Sequence, residues 1–338
     1  MLRVGLVGAG FMGEMHSACY AALGTETVRV TGVADLNAAN AKKIADSHHA
    51  TAFSDPLELI ASPEIDAVDL CLPTHLHATY ARAAMESGKA VFIEKPVCRT
   101  ADEADELLLL QEKTGVPVMV VHCIRMWPEY QWLKNAMERN SFGPLETLVL
   151  KRVSPRPEWA WNNWLHDQKL SGGVALDMHI HDVDFMRYLL GDPKSLSSVI
   201  SCARSGEMNQ IFTNYSYDHT AVSIEACWDY PSTFPFCMEY RAKFCEATVV
   251  YRSQDNSFLV YQGDETSFQP TLDVAEVGEN AAGGNVSSLA GYYHELSYFV
   301  DRVSSKESIQ MSTLQDAADS LKLTLEEITQ AKIINSCI

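Results

Sequence analysis

The stretch RVGLVGAGFMG, residues 3 to 13, decides how the chain begins. An apolar run ends in Gly8-Ala9-Gly10-Phe11-Met12-Gly13, and helix-forming residues follow. A G-x-G-x-x-G between strand and helix is how a backbone makes room for a pyrophosphate. The first glycine makes the turn, the second lets the chain approach the phosphates, and the third allows close packing of helix on strand. The helix start adds N–H groups and the positive end of its dipole. A glycine turn beside a helix-capping aspartate would look similar, so the surroundings must decide. Asp35 closes the next apolar run, Val28–Ala34, 22 positions after Gly13. That is close to the spacing at which a carboxylate takes ribose hydroxyls. Such a carboxylate repels a 2′-phosphate, and Leu36 and Asn37 bring no positive charge, so NAD is expected. NADP is less favoured, although Lys42 and Lys43 leave some tolerance of it.

Working outward, apolar runs alternate with helical patterns up to about residue 122. Strands are expected at Leu2–Val7, Val28–Ala34, Ala67–Leu72, Val91–Ile93 and Val116–Val121. Helices are expected at Gly13–Ala22, Ala38–Ser47 and His75–Ser87, the last closed by Gly88. Asp55-Pro56 opens a short helix as cap and first residue, and Thr100-Ala101-Asp102-Glu103 reads as a capping box for a helix ended by Gly115. Continuous apolar strands alternating with helices mean a doubly wound parallel sheet, an α/β Rossmann domain, over 1–122. Beyond Pro144 the rhythm changes to LETLVLKRV, HTAVSIEACWDY, FCMEYRAKF, ATVVYRS and SFLVYQG. These predict an α+β domain with a large, mostly antiparallel sheet over 123–338, closed by a helix at 315–334.

The composition is that of a folded globular chain, 47% hydrophobic and 21% charged over 338 residues. With 26 basic and 44 acidic side chains the net charge is -18, which disfavours nucleic acid and anionic membranes as partners. The first apolar run meets glycines at once, unlike a signal peptide, and the nine cysteines form no C-x-x-C pair. A cytoplasmic location with reduced thiols is the expectation.

In a doubly wound sheet, ligands lie outside the carboxyl ends of the strands. Leu72-Pro73-Thr74, with His77 behind them, and Glu94-Lys95-Pro96 both occupy such ends. Leu72, Pro73, Thr74, His77, Glu94 and Lys95 join Gly8, Gly10, Phe11, Met12, Gly13 and Asp35 as candidate cofactor contacts. A lysine at a strand tip can be a salt-bridged surface residue; with proline fixing the exit, it is better placed to face a ligand.

GAGFMG, Asp35, PTHLH, EKP and a glycine-led D-x-x-x-H in the second domain together resemble the glucose–fructose oxidoreductase, inositol dehydrogenase and rhizopine catabolism protein (Gfo/Idh/MocA) family. The resemblance covers essentially the whole chain. It implies that Lys95 is catalytic, together with Asp177 and His181 of SGGVALDMHIHDVDFMRYLLG, residues 171 to 191. On a regular helix from Val174 to Leu190, Asp177, His181 and Asp184 share one face, with His179 and Asp182 turned away. Asp177 can then orient the His181 imidazole. The acids and histidines here could suggest a metal, but the faces split them, and no metal is expected. His179 departs from the family pattern, which commonly has a small residue there, leaving it open to reach substrate or a neighbouring subunit.

Between the motifs, EWAWNNWLHDQKL mixes Trp159, Trp161 and Trp164 with Asn162, Asn163 and His166. Indole faces and hydrogen-bonding groups together suit a sugar or polyol, although each tryptophan could equally be packing. Arg125 and Trp127, after the last Rossmann strand, resemble the family's segment beside the nicotinamide, and Tyr292 with Tyr293 resembles the start of its C-terminal helix. Candidate substrate contacts are therefore Arg125, Trp127, Trp161, Asn162, His166 and Tyr292.

The expected activity is NAD-dependent hydride transfer between nicotinamide and a secondary hydroxyl or ketone of a sugar, inositol or related polyol. Two rivals share the scaffold: an NAD-dependent glycosidase working by transient oxidation and elimination, and a non-enzymatic dinucleotide-binding regulator. The β-rich second domain, as in relatives, is expected to pair with copies of itself, in a dimer or tetramer.

Overall fold

A computed structural model describes residues 1–158, 160–203, 206–263, 266–272 and 290–335. The strands are β1 (Leu2–Val7), β2 (Val28–Ala34), β3 (Thr51–Phe53), β4 (Ala67–Leu70), β5 (Ala90–Ile93), β6 (Val118–Val120), β7 (Leu145–Pro155), β8 (Ser195–Cys202), β9 (Met208–Ser216), β10 (Ala221–Tyr230), β11 (Cys237–Phe244), β12 (Ala247–Arg252), β13 (Ser257–Gln262), β14 (Thr266–Phe268) and β15 (Lys332–Asn335). The helices are α1 (Phe11–Leu23), α2 (Ala38–His48), α3 (Pro56–Ala61), α4 (Thr74–Glu86), α5 (Ala101–Thr114), α6 (Pro128–Glu138), α7 (Gln168–Ser171), α8 (Ile180–Leu190), α9 (Ala290–Ser304) and α10 (Leu314–Gln330). No helix among the described residues is long and apolar enough to cross a membrane.

The chain divides into two compact units, Met1–Met126 with Ala275–Asp319 and Trp127–Val274 with Ser320–Ile338. It enters the second unit at Trp127 and returns to the first for the segment containing α9.

The first unit holds a six-stranded parallel sheet in the order β3-β2-β1-β4-β5-β6. Val4, Leu6, Val7 and all of β4 and β5 are buried, as parallel strands covered on both faces require. The order reverses between the paired strands β1 and β4, so the connections leaving them run in opposite directions and flank the switch point. Helix starts follow their local chemistry. Asp55 accepts a hydrogen bond from Leu57 N at 2.8 Å ahead of Pro56, and Thr100 with Glu103 closes the predicted capping box. Gly115 takes the left-handed conformation that ends α5. Edges differ from expectation in small ways: β4 stops at Leu70, β6 starts after Pro117, and the half-exposed edge strand β3 was too short to carry a pattern. Helix α9 packs in this unit, where Leu296, Phe299 and Val300 are buried and Phe299 stacks at 5.1 Å on Phe92 of β5.

The second unit holds a nine-stranded sheet in the order β14-β13-β12-β11-β7-β10-β9-β8-β15. All pairings are antiparallel except β7–β10 and β8–β15. The predicted strands are present; β8 and β9 were not predicted, since their alternating serine, asparagine and threonine positions dilute the apolar signal. On one face Val174, Ala175 and Met178 pack on Ile200, Ile211, Ala226 and Trp228. Tyr130 of α6 meets Phe185, Tyr240 and Tyr251 edge-on at 4.7, 5.1 and 5.8 Å.

Two expectations are corrected. The helix predicted over 174–190 opens with a π-helical turn, Ala175–His179, before α8 begins at Ile180. The closing helix ends at Gln330 rather than residue 334, and Lys332–Asn335 becomes β15, where β-branched Ile333 and Ile334 favour extended chain.

Candidate active site

The glycine loop sits at the carboxyl end of β1, beside the loop after β4. Gly8 has φ +97°, and a β-carbon there would overlap the Cys71 carbonyl. A β-carbon at Gly13 would overlap the Gly8 carbonyl, so that glycine lets α1 close onto the loop. Gly10 differs: nothing lies within 4 Å of where its β-carbon would be. Its bare side is the face on which a pyrophosphate can lie against backbone, at the start of a 13-residue helix with no side-chain cap. Asp35 is tied to this loop, accepting hydrogen bonds from Ala9 N at 2.7 Å and Asn37 N at 2.6 Å. The close approaches at Gly8 and Gly13, the open position at Gly10 and the tethered carboxylate fit a dinucleotide with a free ribose diol. Phe11 and Met12 are the first residues of α1.

At the tips of β4 and β5, His77 links two loops. Its Nδ1 lies 2.7 Å from Pro96 O and its Nε2 2.7 Å from Leu72 O, so both ring nitrogens are engaged by backbone. Burial depresses its pKa, partly offset by those two carbonyls. Leu72, Pro73 and Thr74 thus lead into α4 from a loop tied to the Lys95–Pro96 segment, whose peptide is cis. Glu94 is buried, and its Oε2 accepts a hydrogen bond from Lys95 N at 3.0 Å.

Behind Glu94 lies a group that the sequence reading passed over. His16 of α1 is fully buried, with Nδ1 2.9 Å from Asp69 Oδ2 and Nε2 3.2 Å from Glu94 Oε1. The first contact is a hydrogen bond; the second is close in distance without hydrogen-bond alignment. Asp69 also accepts from the Tyr20 hydroxyl at 3.0 Å, and Cys71 Sγ lies 3.2 Å from His16 Nδ1. Burial works against a charge on His16, yet Asp69 and Cys71 outweigh it and hold its pKa well above the ordinary 6.5. Burial first, then Asp69, pushes the Cys71 thiol upward. His16, Asp69 and Cys71 lie within 4.8 Å of one another, a spacing a metal could use, but hydrogen bonds among them and Tyr20 already account for the cluster. An aspartate inside the apolar run AVDLCL was the available signal, because a fully buried carboxylate needs partners.

Of the substrate candidates, two belong to the first unit. Arg125 is buried and donates from Nη1 to Asp316 Oδ2 at 3.1 Å. Tyr292 is buried, its ring 5.9 Å from His16, and burial raises its pKa well above the usual range.

In the second unit, the motif helix sorts its side chains differently from a regular helix. Asp177 lies in the π turn, half-buried, and His181 is in the first turn of α8, nearly buried. Asp184, expected beside them, is fully buried and accepts from Ser320 Oγ at 2.9 Å. His179 and Asp182, expected to turn away, are enclosed. His179 Nε2 lies 2.6 Å from Glu327 Oε2, with Tyr215 donating to Glu327 Oε1 at 2.7 Å. Asp182 accepts two hydrogen bonds from Arg152, at 3.0 and 3.1 Å. His179 is therefore an internal tie between the motif and α10. In the tryptophan loop, Trp161 is 60% exposed, and Asn162 and Asn163 carry φ of 49° and 53°. His166 Nε2 lies 2.6 Å from Pro157 O, Trp127 is buried, and Trp159 lies outside the described residues.

Residues 2–122 match the family model described as the oxidoreductase family, NAD-binding Rossmann fold, and residues 130–241 match the Gfo/Idh/MocA C-terminal domain. The chain belongs to the Gfo/Idh/MocA oxidoreductase family. Its first unit is the NAD-binding Rossmann fold of that family. Among curated relatives, it is 31% identical over 215 residues to a levoglucosan dehydrogenase of Pseudarthrobacter phenanthrenivorans, covering 59% of this chain and 54% of the relative. It is 33% identical over 192 residues to an inositol 2-dehydrogenase of Rhizobium meliloti, covering 56% of each. These matches span about half the length of the curated relatives. A solved levoglucosan dehydrogenase in complex with NADH and levoglucosan has the same fold, with a TM-score of 0.84 at 21% identity over 97% of this chain and 96% of that one.

Proposed function

We propose that the chain is an NAD-dependent oxidoreductase acting on a secondary hydroxyl or ketone of a sugar, inositol or related polyol. One observation carries the reading: Lys95 leaves the tip of β5, next to β4 in the sheet, on the edge that carries the glycine loop and Asp35. A cation at that edge lies where a doubly wound sheet presents its ligand. The substrate class is supported by relatives named for levoglucosan and inositol. Gly8, Gly10, Gly13 and Asp35 would hold the dinucleotide, which supplies the hydride acceptor when bound.

The chain's own groups handle the proton. His181 acts as general base and takes the hydroxyl proton, and Asp177 orients its imidazole. Lys95 hydrogen-bonds the same substrate oxygen and steadies the alkoxide that develops on it. Trp161, Asn162 and His166 supply an indole face and polar groups for a polyol, and we propose that the assembly is a homo-oligomer.

The test is a panel of inositols, sugars and glycosides with NAD and NADP, followed by absorbance of the reduced cofactor. NADH should accumulate with a free sugar or polyol, and Lys95→Ala or His181→Asn should lower turnover by about 10²- to 10⁴-fold with NAD affinity nearly unchanged. Release of aglycone without net NADH, or full turnover in either variant, overturns the proposal.

A further inference from the structure

The fully buried His16 has an acidic partner on each ring nitrogen. Asp69 faces Nδ1 at 2.9 Å and Glu94 faces Nε2 at 3.2 Å. A neutral imidazole carries one N–H, and would turn a lone pair toward one of the two carboxylates. The imidazolium donates to Asp69, brings its second nitrogen to 3.2 Å from Glu94 Oε1 as a charge contact outside hydrogen-bond alignment, and cancels part of both charges in a fully buried site. Glu94 then passes the constraint on, because its other oxygen accepts from Lys95 N at 3.0 Å. Asp69 is fixed in turn by Tyr20 and by its place in β4.

We propose that His16 is a positioning residue for Lys95: as an imidazolium between Asp69 and Glu94 it fixes the Glu94 carboxylate, and with it the backbone from which Lys95 leaves β5. The functional half of this statement rests on the reading of Lys95 given above. The upward displacement of the His16 pKa by Asp69 and Cys71, against burial, agrees with the geometry. The titratable groups around the ring are Cys19 and Tyr20 on α1, Asp69 and Cys71 at β4, Glu94 after β5, and Tyr292 with Glu295 on α9. Among these groups His16 is the one whose protonation adds a positive charge beside Asp69, with the Lys95 ammonium leaving the chain one residue after Glu94.

The deciding experiment is nuclear magnetic resonance on the full-length chain with NAD, and it does not depend on turnover. Histidine ¹⁵N shifts should show His16 doubly protonated at pH 7.5, and the Lys95 amide shift should move with the same midpoint as His16 when the pH is raised. Glu94→Gln and Asp69→Asn should each lower that midpoint, and His16→Gln should abolish the Lys95 amide titration. Glu94→Gln keeps the test valid if the His16 variant fails to fold. A neutral His16 at pH 7.5, or a Lys95 amide indifferent to its titration, overturns the proposal. With myo-inositol and levoglucosan as substrate probes, His16→Gln should lower kcat roughly tenfold while KM for NAD changes far less. A wild-type chain inert toward both sugars would count against the proposed activity and leave the resonance result as the measure of His16.

Discussion

At the scale of single residues, the three loop glycines are held by different constraints, and substitution should separate them. Gly10 has φ −81° and open space at its β-position, so Gly10→Ala should fold with an unchanged thermal midpoint. Its new methyl group occupies the face proposed for the pyrophosphate, and NAD affinity measured by fluorescence titration should fall about tenfold or more. Gly13→Ala collides with the Gly8 carbonyl instead, and should lose stability by roughly 1–3 kcal/mol whether or not NAD is present. Asp35→Ser removes the charge that repels a 2′-phosphate. Its ratio of NADP to NAD affinity should rise about tenfold, and an unchanged ratio would remove Asp35 from cofactor choice. The motif itself was readable in the sequence because a G-x-G-x-x-G followed by an acid is local chemistry. His16 was not, since its partners Asp69 and Glu94 lie 53 and 78 positions away in the chain.

At the scale of elements, the Arg152–Asp182 pair joins β7 to α8 with both side chains almost wholly buried. Arg152→Met leaves the Asp182 carboxylate enclosed without its two donors, and should cost about 3–5 kcal/mol in urea unfolding. His16–Asp69 joins α1 to β4 and predicts a pH trend of definite sign. The folded-state pKa of His16 is raised above 6.5, so its stabilisation is fully present below that pH and is lost as pH rises through the folded value. The urea midpoint of the wild type should fall on the alkaline side more steeply than that of His16→Gln; parallel curves would contradict the ion pair. The helix caps at Asp55, Thr100 and Gly115 were legible because each is settled within four residues. The sorting of the second motif was not. Spacing on a regular helix placed His179 and Asp182 outward, whereas the π turn and the distant Glu327 and Arg152 bring both inside.

At the scale of the whole molecule, strand–helix alternation revealed the parallel sheet, and alternating polarity revealed most of the antiparallel one. What the linear pattern could not reveal was that the first unit is built from two stretches of chain. Ending a fragment at residue 122 removes α9, which buries Leu296, Phe299 and Val300 and stacks Phe299 on Phe92. Fragment 1–122 should therefore bind a hydrophobic dye and melt without a cooperative transition, while fusion of 290–319 to it should restore one. A sharp transition in the short fragment alone would show that α9 is dispensable. The return of α9 also bears on biosynthesis. Domains commonly fold in order of emergence from the ribosome, at about 5–20 residues per second. Here the first 126 residues emerge with the surface that takes α9 still uncovered until roughly the three-hundredth codon has been translated. Throughout that interval the nascent chain is a natural client for chaperones that shield apolar surface.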